Sequence, residues 1–165
     1  DQLGSDIDGE VGGDYFGLEV SLSNDGYTLA AFDARGNNAN AQHIKVFKFE
    51  NNNWVAKGNQ ISVDKTNSIE GSISISGNGN VLVFGQKSKK KAATYEFENN
   101  NWIKKGSNIT SGSGFGEKVS LSDNGKVVAI GWPTADHSGK NNNGAVNLYN
   151  LTSVFILNRN HNEYL

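Results

Sequence analysis

Phe16-Gly17-Leu18-Glu19-Val20-Ser21-Leu22-Ser23-Asn24-Asp25-Gly26-Tyr27-Thr28-Leu29-Ala30 decides how the rest of the chain reads. The pattern returns as Phe115-Gly116-Glu117-Lys118-Val119-Ser120-Leu121-Ser122-Asp123-Asn124-Gly125-Lys126-Val127-Val128-Ala129. A divergent copy lies between them, Gly71-Ser72-Ile73-Ser74-Ile75-Ser76-Gly77-Asn78-Gly79-Asn80-Val81-Leu82-Val83. Each copy alternates apolar and hydroxyl side chains, the period-two signature of a strand. Each then passes through Asn or Asp, or Asn-Gly, into a second apolar run. Asn/Asp-Gly between two such runs predicts a hairpin, because these residues tolerate the positive φ of a tight turn.

Working outward, His43 to Glu50 alternates strictly and predicts a third strand. Asn51-Asn52-Asn53 predicts a turn, and Trp54-Val55-Ala56 the start of a fourth strand. In the second copy, Ala93 to Glu98 matches the third strand, and Asn99 to Gly106 nearly duplicates Asn51 to Gly58. The third copy supplies Ala145-Val146-Asn147-Leu148-Tyr149, after which Asn150 to Leu157 departs from the pattern, with Phe155 where Trp is expected. At the other end, Leu3-Gly4 to Ile7 matches Lys57-Gly58 to Ile61 and Lys105-Gly106 to Ile109, so the chain begins in mid-repeat. Trp54 and Trp102 are 48 residues apart, Val20 and Ile73 are 53 apart, and Ile73 and Val119 are 46 apart. A period of about 50 suits four-stranded propeller blades of ~40–50 residues.

The expectation is an all-β chain forming one domain over residues 1–165. Its repeats cover about 1–58, 59–106 and 107–158, with a tail at 159–165. It is built as about three four-stranded antiparallel blades. Closed propellers have about 4–8 blades, so the ring is incomplete or open, or copies associate to complete it. An edge blade with unpaired backbone invites another chain.

The repeat resembles the integrin-α-like, FG-GAP-type propeller family, and most closely the tandem repeats of large surface or secreted proteins of bacteria, algae and giant viruses. The matching stretches are Leu3 to Glu10 with Asp14-Tyr15-Phe16-Gly17, Gly114-Phe115-Gly116 through Val127 to Pro133, and Gly144 to Tyr149. The middle copy departs, keeping only Val83-Phe84-Gly85, and Trp132 stands where a small residue is usual. The resemblance implies a propeller fold and a place at an exterior surface: extracellular, on a cell or on a virion. Integrin-type blades hold calcium between alternating Asp side chains. Ser23-Asn24-Asp25-Gly26 and Ser122-Asp123-Asn124-Gly125 offer too few carboxylates for a cation that takes six to eight oxygens, so no metal site is carried over.

Composition narrows the partners. With Lys+Arg 15 against Asp+Glu 17, the net charge of −2 gives no electrostatic reason to expect nucleic acid or an anionic membrane. No apolar run approaches the ~20 residues that span a bilayer, so membrane insertion is not expected. The absence of cysteine excludes disulfides and thiolate zinc sites. No methionine occurs, even at position 1, which points to a processed chain or a piece of a longer one.

No cofactor is expected and no catalytic set is found. His43, His137 and His161 lack metal-ligand spacing, and no Gly-x-Ser-x-Gly elbow or thiol nucleophile is present. Asp6, Asp8 and Glu10 alternate and read as solvated acids rather than a cation site. Phe16, Gly17, Phe115 and Gly116 are structural repeat positions, and Trp54 and Trp102 read as packing between blades. The best candidate for a ligand surface is the loop of Trp132, Asp136 and His137, since loops on rigid scaffolds carry function. Lys87, Lys89, Lys90 and Lys91 form a basic loop. Asn108-Ile109-Thr110 and Asn150-Leu151-Thr152 match the N-glycosylation acceptor pattern. The expected function is a non-catalytic structural or recognition module, for adhesion or as a coat or appendage component, with a protein or glycan partner. The alternatives are a carbohydrate-binding propeller and a fragment of a propeller enzyme such as a glycosidase, with paired acids on neighbouring blades.

Overall fold

The computed structural model describes residues 1–10, 12–34, 42–66 and 70–152. Among them the strands are β1 (Val20–Leu22), β2 (Thr28–Asp33), β3 (Gln42–Glu50), β4 (Asn53–Ala56), β5 (Ile61–Val63) and β6 (Ser72–Ile75). They continue with β7 (Val81–Gln86), β8 (Lys91–Glu98), β9 (Asn101–Thr110), β10 (Val119–Leu121), β11 (Val127–Trp132) and β12 (Ala145–Asn150). Three antiparallel sheets result: β1-β2-β3-β4 with β5 also on β3, then β6-β7-β8-β9, then β10-β11-β12. These are blades 1, 2 and 3 of an open, propeller-type array, with β5 past residue 58 still on blade 1 and β9 running past residue 106. No helix among the described residues is long and apolar enough to cross a membrane.

The first hairpin of each blade forms where Asn/Asp-Gly predicted it, by a different turn. Only Gly26, Gly79 and Gly125 take positive φ (76°, 65° and 69°). Asp25, Asn78 and Asn124 instead accept the hydroxyl of the preceding Ser23, Ser76 or Ser122, at 2.6, 2.8 and 2.8 Å. Each also accepts the backbone N–H two residues on. The same serine oxygen accepts the first N–H of the returning strand, from Thr28, Val81 or Val127. Among the three, Asp25 is the one that ionises, and the Ser23 hydroxyl followed by the Tyr27 N–H holds its carboxyl below the usual range. Two-residue hairpins with both positions left-handed occur elsewhere, at Asn51-Asn52 (φ 51° and 62°) and Asn99-Asn100 (φ 49° and 62°). They join β3 to β4 and β8 to β9, and Asn tolerates that conformation through local hydrogen bonding of its short side chain.

Blades differ in their outer edge. In blade 1, β4 and β5 are separate strands on β3, whereas in blade 2 the single long β9 covers both stretches, with a register shift at Ala92/Thr94. Of the expected fourth strand of blade 3, Asn150 instead ends β12 and Leu151 and Thr152 are helical, while the rest, including Phe155, lies outside the described residues.

Hydrophobic burial holds the blades face to face. Phe32, Ile44 and Val46 of blade 1 meet Ile73, Ile75, Leu82, Phe84 and Trp102 of blade 2 in one core. Val83 and Ala92 of blade 2 meet Phe115, Val119, Val128 and Ile130 of blade 3 in another. The inner strands β1, β6 and β10 are sheet edges, with backbone N–H groups left over. The Ile75 N–H donates to Ser21 Oγ at 3.0 Å, the Val119 N–H to Ser72 Oγ at 3.1 Å, and the Leu121 N–H to Ser74 Oγ at 2.8 Å. The hydroxyl side chains that made the strands alternate in the sequence thus stitch each blade to the next. Backbone bonds add to the seam, from the Asn24 N–H to Gly77 O and from the Gly77 N–H to Asp123 O.

The repeat tryptophans latch the chain where it crosses between blades. The Trp102 indole donates to Lys57 O at 2.8 Å, and Gly58 sits against its ring and Phe97. The Trp54 indole makes the same bond to Leu3 O at 2.8 Å, with Gly4 against its ring and Phe49. Trp102 is buried and Trp54 half-buried, so both serve packing between chain segments. Lys57 Nζ reinforces the first crossing, donating to Gly79 O at 2.6 Å and lying 4.8 Å from the Phe97 ring centre.

Close approach of blades 2 and 3 requires Gly85. A Cβ there would lie 2.5 Å from Gly116 O and 2.7 Å from Val119 Cγ1, both on blade 3. Gly85→Ala is expected to lower stability by about 1–3 kcal/mol, read as a fall in Tm. Gly12→Ala, where a Cβ meets nothing within 4 Å, should leave Tm unchanged. Burial pushes the Tyr95 phenol up to about 12. Its favourable contribution is therefore complete below the free-tyrosine value of about 10 and is lost as pH rises through about 12. Ultraviolet titration should show one tyrosine ionising last, and Tyr95→Phe should remove that step.

Candidate functional site

Antiparallel pairing puts the starts of β1, β6 and β10 at the same end of the blades as the loops entering β8 and β12. Charged residues from all three blades converge there around a cavity of about 250 Å³, lined by Glu19, Glu70, Lys87, Glu117 and Lys118. Glu19, Ser72 and Lys118 hold equivalent positions, each one residue before the inner-strand apolar residue. Lys118 Nζ reaches Glu19 Oε1 at 2.7 Å, and Lys87 Nζ reaches Glu117 Oε2 at 2.8 Å. Glu70 Oε1 accepts the Ser88 N–H at 2.6 Å. The hydrogen bond to Glu117 holds the Lys87 ammonium above its ordinary value. The arrangement ties blade 1 to blade 3 and blade 2 to blade 3 across the rim.

A second, larger cavity of about 610 Å³ lies beside it on the outer flank of blade 3, walled by Gly131, Trp132, Pro133 and Val146 over Glu117 and Lys118. Trp132 is half-buried. Its indole donates to Ser113 O at 2.7 Å, and its ring meets Phe115 edge-on at 6.0 Å. Thr134 Oγ1 donates to the same Ser113 oxygen. His137 is exposed and meets the Trp132 ring edge-on at 6.0 Å. Asp136 Oδ1 accepts the Asn142 N–H at 2.6 Å and Asn143 Oδ1 accepts the His137 N–H at 2.9 Å, so the loop is closed by its own side chains. The structure thus brings Trp132 and His137 together and turns Asp136 to loop-building.

The remaining sequence candidates separate. The basic loop divides: Lys87 pairs with Glu117, Lys91 with Asp64 at 2.6 Å, and Lys90 caps the 3-10 turn Lys87–Lys89 in left-handed geometry. Asp6, Asp8 and Glu10 lie on no strand; Glu10 pairs with Lys45 at 2.9 Å and Asp6 accepts from Gln2. Among the described residues no group of three or more His, Cys, Asp or Glu side chains could hold a metal. Asn108 lies in β9 with a buried side-chain oxygen, and Asn150 is exposed at the end of β12, where its Oδ1 accepts the Thr152 N–H. His161 lies outside the described residues. Sequence reading passed over Glu19, Glu70, Glu117 and Lys118, which become neighbours only when the three inner strands are aligned by their alternating serines.

The comparisons agree with the geometry at the level of fold. No family model and no curated protein matches the chain. Among solved structures it is similar to Kuenenia stuttgartiensis hydrazine synthase, with 12% identity, TM-score 0.57, and 92% of this chain covering 36% of that one. It is also similar to a 6-phosphogluconolactonase-like protein of Bacteroides uniformis, with 16% identity, TM-score 0.54, and 80% of this chain covering 36% of that one. A comparable protein of Bacteroides fragilis shows 15% identity, TM-score 0.50, and coverage of 79% and 41%. These are propeller-type folds, and the likeness shows the fold alone. The chain spans less than half the length of each.

Trp132→Ala should destabilise by roughly 1–3 kcal/mol, below the 3–5 of a fully buried Trp because the ring is half-exposed. His137→Ala should stay within about 0.5 kcal/mol. Thermal denaturation of the two variants reads the difference.

Proposed function

We propose that the chain is a non-catalytic structural or recognition module, a rigid set of propeller blades that acts through its surfaces at a cell, virion or other exterior boundary. The observation that supports it most is where the polar side chains end. Ser21, Ser72 and Ser74 close the seams between blades, and Asp25, Asn78 and Asn124 build turns. Glu19, Glu117, Lys87 and Lys118 pair with one another across the rim. Each of these groups has a structural partner. The FG-GAP-type resemblance points the same way, toward a protein or glycan partner.

A catalytic reading has one observation in its favour: Glu19, Glu70 and Glu117, from three blades, line one cavity. A panel of lactone, glycoside and ester substrates distinguishes the two. The expected result is no turnover above buffer; turnover that disappears in Glu70→Gln overturns the structural reading. A glycan array on the same protein tests the carbohydrate alternative, in which Trp132→Ala should abolish binding.

A further inference from the structure

The two ends of the blade array are halves of the same junction. Inside the molecule, Gly85 and Ala92 on the leading face of blade 2 receive Gly116 and Val119 from blade 3. Strand register makes Gly131 the counterpart of Gly85, and Val146 the counterpart of Ile44 and Ala92. Ile44 and Ala92 are each 0% exposed, whereas Val146 is 65% exposed. Leu148, the counterpart of Val46 at 3% and Thr94 at 2%, is 70% exposed. The 610 Å³ cavity beside Gly131 and Val146 is thus the seat that Gly116 and Val119 fill one blade earlier. Ser120, counterpart of the seam acceptors Ser21 and Ser74, is exposed on the same edge.

At the other end, blade 1 presents the part that fits. Val20 and Leu22 are 57% and 54% exposed, while their counterparts Ile73, Ile75 and Val119 are 6%, 6% and 9% exposed. Gly17 has the same φ as Gly116, 84°, and the same N–H bond back to its own second strand, 3.1 Å in both. Phe16 meets Phe47 edge-on as Phe115 meets Tyr149, at 6.1 and 6.4 Å. A Cβ on Gly116 would collide with blade 2; one on Gly17 meets nothing within 4 Å. The Phe-Gly segment of blade 1 is therefore preset in its docked shape, with nothing docked on it.

We infer that blade 3 of one copy receives blade 1 of a second copy, head to tail. Gly17 and Val20 enter the seat at Gly131 and Val146, and the Leu22 N–H donates to Ser120 Oγ. Like faces do not complement each other, so the contact is heterologous. Two copies, three blades from each, fall within the about 4–8 blades of closed rings. The inference rests on reading the chain as a structural module and names its partner.

Two variants separate the two halves of the contact. Gly131→Ala adds a methyl whose nearest neighbours within one copy are Lys118 atoms, none closer than 3.5 Å, but it fills the seat where Gly17 would sit. Val20→Asp places a charge on the exposed inner strand of blade 1. Sedimentation of the wild-type 17.8 kDa chain should show association, and each variant alone should be monomeric with wild-type Tm, its association weakened about 100-fold. An equimolar mixture should form a 1:1 dimer, since one copy keeps a sound blade 1 and the other a sound blade 3. A monomeric wild-type chain at millimolar concentration overturns the inference. So does association that survives either variant, or a mixture that stays monomeric while the wild type associates. A monomer that is silent on the substrate panel removes this contact and leaves the structural reading standing.

Discussion

An inner strand of a blade has a sheet partner on one side only, and its outward N–H groups must be satisfied by something else. Here the neighbouring blade supplies a serine hydroxyl. Ser21 receives the Ile75 N–H, Ser72 that of Val119, and Ser74 that of Leu121. The bond needs a short side chain, because a longer one would hold the strands apart, and Gly85 and Gly116 set the same limit at the neighbouring contact. The apolar residues alternating with the serines then fall on the face that meets the preceding blade. One alternation thus satisfies backbone polarity and builds the core at once.

That economy made the architecture readable. The alternating Val-Ser-Leu-Ser run, the Asn-Asn-Asn-Trp turn and the Gly three residues before Ile each recur, and each has a distinct physical job. The turn at Asp25 was less readable, because Asn/Asp-Gly serves both as a left-handed pair and as a side-chain cap; only the partner of Ser23 Oγ separates them. The charged rim was scarcely readable at all. Glu19 and Lys118 lie far apart in sequence and meet at 2.7 Å through blade geometry, with no local spacing to announce it. Trp132 was singled out as a candidate for a ligand surface, yet its indole N–H is committed to Ser113 O.

Rim and flank differ in their chemistry. At the rim, exposed ion pairs contribute little stability and are screened by salt, so they order side chains more than they hold blades. On the flank of blade 3 the apolar residues of β12 are uncovered, and burial of such surface is the dominant drive for association. The charged rim and the apolar flank of blade 3 are thus chemically distinct parts of one surface.

The two inter-blade cores are unequal. Phe32, Phe84, Ile44, Ile73, Ile75, Leu82 and Trp102 fill the first, while the second has small Ala92 and Val83 on the blade 2 side. Among the described residues, blade 3 shares its hydrophobic core with blade 2 and reaches blade 1 through the Lys118–Glu19 ion pair. Such an array behaves as a one-dimensional lattice whose weakest boundary opens first. Amide hydrogens of β10 to β12 would then exchange by a sub-global opening that leaves blades 1 and 2 shut, making blade 3 the hinged end of the molecule.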